Sequence, residues 1–374
     1  HGAGIGAVVA SRMPLTRSGS VRSLKQLWLA LLVKQSDARS CFEAAHGGLS
    51  APEDVRDQDA LCLLASEAGA QLRPLLFRPW PGLGPLGPGH TTLAGLRQDE
   101  TLRLYDALHA LVKGGSPRLL VLAGSSGTGR TSLVRAGLVP HLRELGWTTT
   151  TLRPTGDIEA RLGAALALAE GEAKHLVVVD PFESTFALGA GPRRRLIRAL
   201  WRQATAPRGR TSVLLVLRIE YLGRCSELTL DDAGMRLDAI ALQDGHRILV
   251  SEPEARVLRD AVLAPALQAG LDVNINIATR LATQVAEAGP ALPHLAASLD
   301  RLWRNRSGRS LGPDALQAVG DPTRSVLHMA DDAIIRLDAD GRAEALRIMR
   351  ALLAPGGVHG PPLPPWQTRA ALRP

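Results

Sequence analysis

The sequence predicts an α/β protein: a parallel sheet covered by helices, followed by an all-helical region, with a small α/β fragment at the N-terminus. Three observations carry that reading. Between residues 98 and 218 helical periodicity alternates with short apolar runs, the pattern of strands buried on both faces under crossover helices. Beyond residue 251 the strand pattern stops and only helical periodicity remains. Ahead of both, "RPLLFRPWPGLGPLGPGH" (73–90) is dense in proline and glycine, the punctuation of a connecting segment.

The elements follow in order. Residues 7–11 read as a short buried strand. In "SVRSLKQLWLALLVKQ" (20–35), Val21, Leu24, Leu27, Trp28, Leu31 and Leu32 fall at helical spacing and predict an amphipathic helix with a core-facing stripe. "SDARSCFEAAHGGL" opens on Ser36 or Asp37 as cap and closes on Gly47–Gly48, and "DALCLLAS" (59–66) suits a second strand. After the proline-rich stretch come a helix (98–114), the strand "RLLVLAG", the helix "TSLVRAGLVPHLREL" and the strand "TTTTLRP". The helix "DIEARLGAALALAEG", the strand "KHLVVVD", the helix "PRRRLIRALWRQA" and the strand "TSVLLVLR" complete the alternation. Ser251 and Glu254 match the S-x-x-E capping box in front of "EPEARVLRDAVLAPALQAG". Further helices are expected at about 276–288, 290–304, 313–319, 323–337 and 341–353. The expected units are an N-terminal fragment (1–78), a linker (79–95), an α/β core (96–250), a helical subdomain (251–310) and a final helical segment (311–374).

Composition narrows the function classes. A chain of 374 residues with 45% hydrophobic side chains is long enough for two or three cores. Its formal charge is +8, but only four of its 44 basic residues are lysines and the arginines are spread along the chain. That spread reads as solvated faces, and at 3% aromatic residues there is no stacking platform for single strands. Nucleic acid is therefore not expected as a partner. Cys41, Cys62 and Cys225 lack any ligand spacing and suggest free thiols in a reducing, cytoplasmic setting. No apolar run approaches the ~18–20 residues of a membrane span, so no membrane is expected. A chain that starts at His1 and stops at "ALRP" reads as an excerpt of something longer.

The chemistry concentrates in the α/β part. "GSSGTGRTS" (124–132) lies between the strand "LLVLA" and the helix "LVRAGLVPHL". Gly124, Gly127 and Gly129 free the backbone so that successive N–H groups of the loop, including Ser125, Ser126 and Thr128, can face phosphate oxygens at a helix N-terminus. Thr131 is placed for a magnesium ion. The G-x-x-x-x-G-[K/R]-T pattern holds only with Arg130 in the lysine position; the alternative is a glycine-rich turn that binds nothing. "HLVVVDPFES" ends a strand on Asp180, where magnesium-bound water is held beside a phosphate loop. The pair together predicts a P-loop NTPase sheet. Arg218, ending "VLLVLR", can sense a terminal phosphate or equally pair with Glu220.

These residues also carry a resemblance. "VLAGSSGTGRTSLVRAGLVPHL", "LVVVDPFES", "VLRIEYLGRC" and "AGPALPHLAASLDRLW" resemble the phosphate loop, the Asp strand, the sensor strand and the G-x-x-L-P-L segment of the novel STAND signalling NTPases, over about residues 76–374. The resemblance implies an AAA+-like switch that is closed with ADP and, on a signal, exchanges it for ATP, opens and self-associates. It implies that residues 124–132 bind the nucleotide, with Arg130 in place of the lysine and Ser132 closing the loop. Thr131 and Asp180 would hold Mg2+, Glu183 would orient water, Arg218 would be the sensor, and Pro293 would lie near the adenine. The helices after 311 resemble the start of a winged-helix segment. Pro181 and Ser184 depart from the family's D-Q-F-E-E, and a planar arginine fork is a poor copy of a lysine ammonium. ATP or ADP with Mg2+ is thus expected, with hydrolysis weak or absent.

"AVVASRMPLTRSGSVRSLKQLWLALL", with "CFEAAHGGL" and "DALCLLAS", resembles the C-terminal third of a CHAT domain, a caspase-like peptidase, over residues 1–78. That implies a peptidase effector in cis whose catalytic His and Cys lie in earlier strands. Two readings compete with the switch: a degenerate NTPase kept as an interaction scaffold, and a DNA-binding regulator using the winged-helix segment.

Overall fold

The computed structural model describes residues 7–11, 15–33, 36–50, 54–65, 78–87, 89–114, 117–155, 158–168, 173–207, 209–306 and 310–353. The last part of the segment expected to be winged-helix-like, 354–374, lies outside them. In the N-terminal unit, β1 (Ala7–Ser11) pairs antiparallel with β2 (Leu61–Ala65), so the two expected strands do meet. Between them run α1 (Arg17–Trp28, extended by a π segment Leu29–Val33), α2 (Ala38–Gly47) and α3 (Val55–Ala60). Asp37 caps α2 by accepting the Ser40 N–H at 2.8 Å.

The apolar stripe of α1 does not face a core. Val21, Leu24 and Trp28 are 64%, 51% and 51% exposed, while the small residues Gly19 and Ser23 are buried. The cause is polar. The buried Asp57 carboxylate accepts from Thr16 N–H at the start of α1, and the buried Asp54 pairs with Arg22. These ties turn the small-residue face inward, because leaving a buried carboxylate unmatched costs more than exposing a few apolar side chains.

The main sheet is five-stranded and parallel, in the order β4-β5-β6-β3-β7, with β3 Leu119–Gly124, β4 Thr148–Leu152, β5 His175–Val179, β6 Thr211–Arg218 and β7 Arg247–Val250. The runs of leucine and valine read as continuous because both faces are covered. Leu120, Leu122, Leu176, Val178, Leu214 and Val216 pack on one side with Leu133, Leu138 and Leu142. Val121, Val177, Val179, Val213, Leu215 and Leu217 point to the other, against Leu196, Leu200 and Phe182. The threonine-rich β4 sits at an edge, where half-exposed β-branched residues suit a pleated border. β7 was not foreseen; it is short, only partly buried, and joins the far side of β3.

Around the sheet lie α4 (Thr91–Gly95), α5 (Gln98–Gly114), α6, α7 (Ile158–Leu168), α8 (Ala190–Thr205) and α9 (Leu237–Ala241). Helix α6 comprises Arg130–Ser132, the π segment Leu133–Leu138 and Val139–Glu144. The helical part holds α10 (Ala255–Gln268), α11 (Ile275–Ala288), α12 (Ala291–Arg304), α13 (Pro313–Val319), α14 (Ser325–Ile335) and α15 (Ala339–Leu353). Strands do not vanish there altogether: Asp272–Val273 and Ser310–Leu311 make a two-residue parallel pairing.

Two local expectations need correction. The capping box does not form: α10 starts at Ala255 with Glu254 as a cap that makes no side-chain bond. Pro253 explains this, since the residue before a proline is pushed out of helical geometry. The proline-rich stretch, described over 78–87 and 89–90, is anchored at Pro79 and Trp80, which are buried. Trp80 is 2% exposed within the helical core of Leu258, Val262, Leu281 and Leu299, and its indole N–H donates to Ala261 C=O at 3.1 Å. No helix among the described residues is long and apolar enough to cross a membrane.

Burial also sets thiol chemistry. Desolvation pushes the Cys225 thiol up to about 12, and it raises Cys41, with Asp37 adding to the shift. Only Cys62 is half-exposed among the three. Titration of the native protein with a disulfide reagent at pH 8 should therefore modify Cys62 alone, with Cys41 and Cys225 reacting only on unfolding. Rapid native reaction of Cys225 would contradict its placement.

Candidate functional site

The site forms where the strand order turns back on itself. β3 ends between β6 and β7, with Gly124 in register with Arg218 on one side and Val250 on the other. Ligands of parallel sheets collect at such carboxyl ends. The loop after β3 needs its glycines. Gly127 and Gly129 have φ of 88° and 83°, a left-handed backbone that side chains disfavour. They also have no room: a Cβ on Gly127 would stand 2.7 Å from Pro290 Cβ and 3.1 Å from Pro293 Cδ, and one on Gly129 2.8 Å from Leu292 Cδ1. At Gly124 the added atom would meet Val250 C=O at 2.5 Å. The start of α12 is thus seated on the loop, with Pro293 against Gly127.

The remaining loop residues divide by role. Ser125 and Ser126 are exposed at the tip. Thr128 is buried, its hydroxyl donating to Ser125 C=O at 3.0 Å and so tying the loop to itself. Gly129 caps α6, so the first N–H groups of that helix have no intrahelical acceptor. Ser132 Oγ accepts the N–H of Leu86 at 3.1 Å, which binds the proline-rich strap to the loop helix.

Thr131 and Asp180 meet: the threonine hydroxyl donates to Asp180 Oδ1 at 3.1 Å. Asp180 Oδ2 is buried and accepts no hydrogen bond, with Arg135 Nε at 3.8 Å. Burial pushes this carboxyl up, opposed by the Thr131 hydrogen bond and by Arg135, Arg130 and Arg153. A hydroxyl and a buried carboxylate oxygen awaiting a partner are the hard oxygen donors that magnesium takes, with phosphate and water filling its other positions. The residues present fit the ion.

Arg130 is half-buried, and desolvation lowers its pKa against the pull of Glu183, Asp180 and Glu220. Glu183 is 5% exposed. Its carboxyl is raised by burial and held back by its own backbone N–H, Arg130 and Arg218. Arg218 pairs with Glu183 and not with Glu220: Nε stands 3.3 Å from Oε1, and the Arg218 backbone N–H donates to Oε2 at 3.3 Å. Its guanidinium also lies 4.8 Å over the Tyr221 ring and donates to the phenol oxygen at 3.0 Å.

A cavity of about 430 Å3 joins these groups, within the usual range for a small-ligand site. Its lining mixes polar groups, Arg130, Thr131, Asp180 and Arg153 beside Gly127 and Gly129, with the apolar side chains of Trp80, Leu86, Leu93, Val257, Leu292 and Pro293. Glu183 and Arg218, expected to act on the ligand, are not on its wall. The residue that sequence reasoning missed is Arg97. It donates to Thr128 C=O, to Ser251 C=O at 3.3 Å and to Glu100 at 2.9 Å, clamping the loop to the strand–helix junction behind β7. The only sequence signal was an arginine three residues ahead of Glu100 at a helix start.

The family model described as Novel STAND NTPase 1 matches residues 79–369. Among solved structures, the chain is similar to the Aeropyrum pernix ORC2 protein in its ADPNP–ADP complexes, at 14% identity over 68% of this chain and 73% of that one, with a TM-score of 0.47. It is similar to the Walker-type ATPase PABY2304 of Pyrococcus abyssi, at 14% identity over 68% and 79%, TM-score 0.42. A third is domain III of the Thermotoga maritima replication initiation protein DnaA, at 13% identity over 64% and 100%, TM-score 0.44. No curated protein matches the chain.

The strap makes the cavity's roof testable. Trp80→Ala removes a fully packed ring and a hydrogen bond, and should cost about 3–5 kcal/mol in the urea transition of the helical part. Trp80→Phe should recover most of that loss. A change below about 1 kcal/mol for the alanine variant would mean that the strap is not packed.

Proposed function

Since the chain belongs to the Novel STAND NTPase 1 family, we propose that its cavity holds ADP or ATP with Mg2+ and that nucleotide identity sets a switch. The carrying observation is one cavity lined both by the glycine loop with the Thr131–Asp180 pair and by apolar side chains of the strap and the start of α12. The polar groups suit phosphates and the apolar side chains a base. In this reading the loop backbone and Arg130 bind the phosphates, and Pro293 with Leu292 borders the base. Thr131 and Asp180 would hold the ion, which supplies charge neutralisation between the phosphates.

Turnover is expected to be weak or absent. Pro181, directly after Asp180, has no proton to give or take. Glu183 is bound up with Arg218 and stands off the cavity wall, so it is poorly placed to orient water. A switch does not need fast chemistry, only conformations that differ in affinity for two ligands. The proposed output runs through self-association and through the N-terminal unit, whose resemblance to a CHAT tail suggests a caspase-like effector in cis; the helices after 311 would begin a winged-helix segment.

The test is calorimetric titration with ADP and ATP, each with and without magnesium. Micromolar or tighter binding by the native chain is expected, with Arg130→Ala weakening it by about 1.5–3 kcal/mol and Arg130→Lys retaining it. Phosphate release should stay at background. Failure of the native chain to bind either nucleotide, with binding restored by Arg130→Lys, would favour the scaffold reading.

A further inference from the structure

Asp180 is the one acid that lines the cavity among the described residues, and its two carboxylate oxygens are held differently. Oδ1 accepts the Thr131 hydroxyl at 3.1 Å, while Oδ2 is buried, accepts no hydrogen bond and has Arg135 Nε at 3.8 Å. Thr131 and Arg135 stand four residues apart in α6, so one side of that helix brings a hydroxyl and a guanidinium to the same carboxylate. Burial penalises the charged form of Asp180; of the three arginines that oppose the penalty, Arg135 pulls hardest, ahead of Arg130 and Arg153. Arg130 divides its attraction, with Glu183 ahead of Asp180. Arg135 has Asp180 as its acid partner, its side chain is 33% exposed, and it does not line the cavity.

A magnesium ion held by Thr131 and Asp180 needs the same oxygen. A carboxylate this deep is costly without a cation beside it, yet a guanidinium at that range and a divalent ion repel one another. Being partly exposed, the Arg135 side chain can exchange Asp180 for water. We infer that Arg135 is an internal cation that competes with magnesium for Asp180 Oδ2: it steadies the carboxylate in the nucleotide-free chain and yields it when nucleotide and ion bind. This rests on the nucleotide reading above. Its consequence is a site that holds the bare ion weakly and takes it up together with the phosphates, which supply further oxygen ligands.

The test measures, by calorimetry on the full chain, how much magnesium tightens ADP binding, as the ratio of the dissociation constants in EDTA and in excess Mg2+. Arg135→Gln should raise that ratio about fivefold, the scale of removing one partly screened like charge from beside the ion. It should leave ADP affinity in EDTA within about twofold of native, because Arg135 does not line the cavity. The unliganded variant should also melt earlier than the native chain, with the gap narrowing in Mg2+ and ADP; an equal gap in both conditions would mark a purely structural ion pair and overturn the inference. Arg143→Gln, an exposed arginine further along α6, controls for general charge and should leave the ratio unchanged; a matching rise there would also overturn it. Arg135→Met carries the same expectation if the glutamine variant does not fold. A ratio unmoved or lowered by the Arg135 substitutions, in a native chain whose ADP binding does respond to magnesium, defeats this assignment alone. ADP binding by the native chain with no response to magnesium overturns it as well. A native chain that binds no nucleotide defeats the nucleotide reading and takes this one with it.

Discussion

The structure depends on one steric constraint: the first turn of α12 touches the backbone of the loop after β3, with no space for even a methyl group between them. Gly127 and Gly129 meet Pro290, Pro293 and Leu292 at distances where an added Cβ would have to displace its neighbour. From that contact follow the roof of the cavity, the position of the helical part over the sheet, and the need for glycine at positions whose backbone is already left-handed. The strap strengthens the same closure from outside. Trp80 is embedded in the helical core while Leu86 is bonded to Ser132 on the loop helix, so the segment leading in from the N-terminal unit spans both halves of the site.

Much of this was legible in the sequence because it is local. The apolar runs of β3, β5 and β6 announce strands with two covered faces, and the loop and Asp180 can be placed from the strands they follow. The meeting of Thr131 with Asp180 is less direct: β3 and β5 end at the same edge of the parallel sheet but with β6 between them, and the loop and first turn of α6 bridge that gap. What the sequence concealed was non-local. The stripe on α1 looked like a core face, but two buried aspartates, 32 and 41 residues away from Arg22 and Thr16, turn the helix the other way. The proline-rich stretch looked like a linker because its buried pair, Pro79 and Trp80, gives no periodic signal. Arg97 was invisible since its partners, Thr128 and Ser251, are carbonyl oxygens, which any residue supplies.

The electrostatics explain how an arginine can occupy the lysine position. Arg130 is drawn by Glu183, Asp180 and Glu220 and repelled by Arg218, which gives the half-buried guanidinium a set of acids to stand against while it faces the cavity. Glu183 in turn is held by both arginines.

The central claim is that this cavity receives a nucleotide with its phosphates on the glycine loop. A crystal structure of the chain grown with ADP and Mg2+ tests it most directly. The account predicts a diphosphate against the backbone of residues 127–131, the ion between Thr131 and Asp180, and the base under the strap beside Leu292 and Pro293. An empty cavity at saturating nucleotide, or a nucleotide bound elsewhere on the chain, would contradict it.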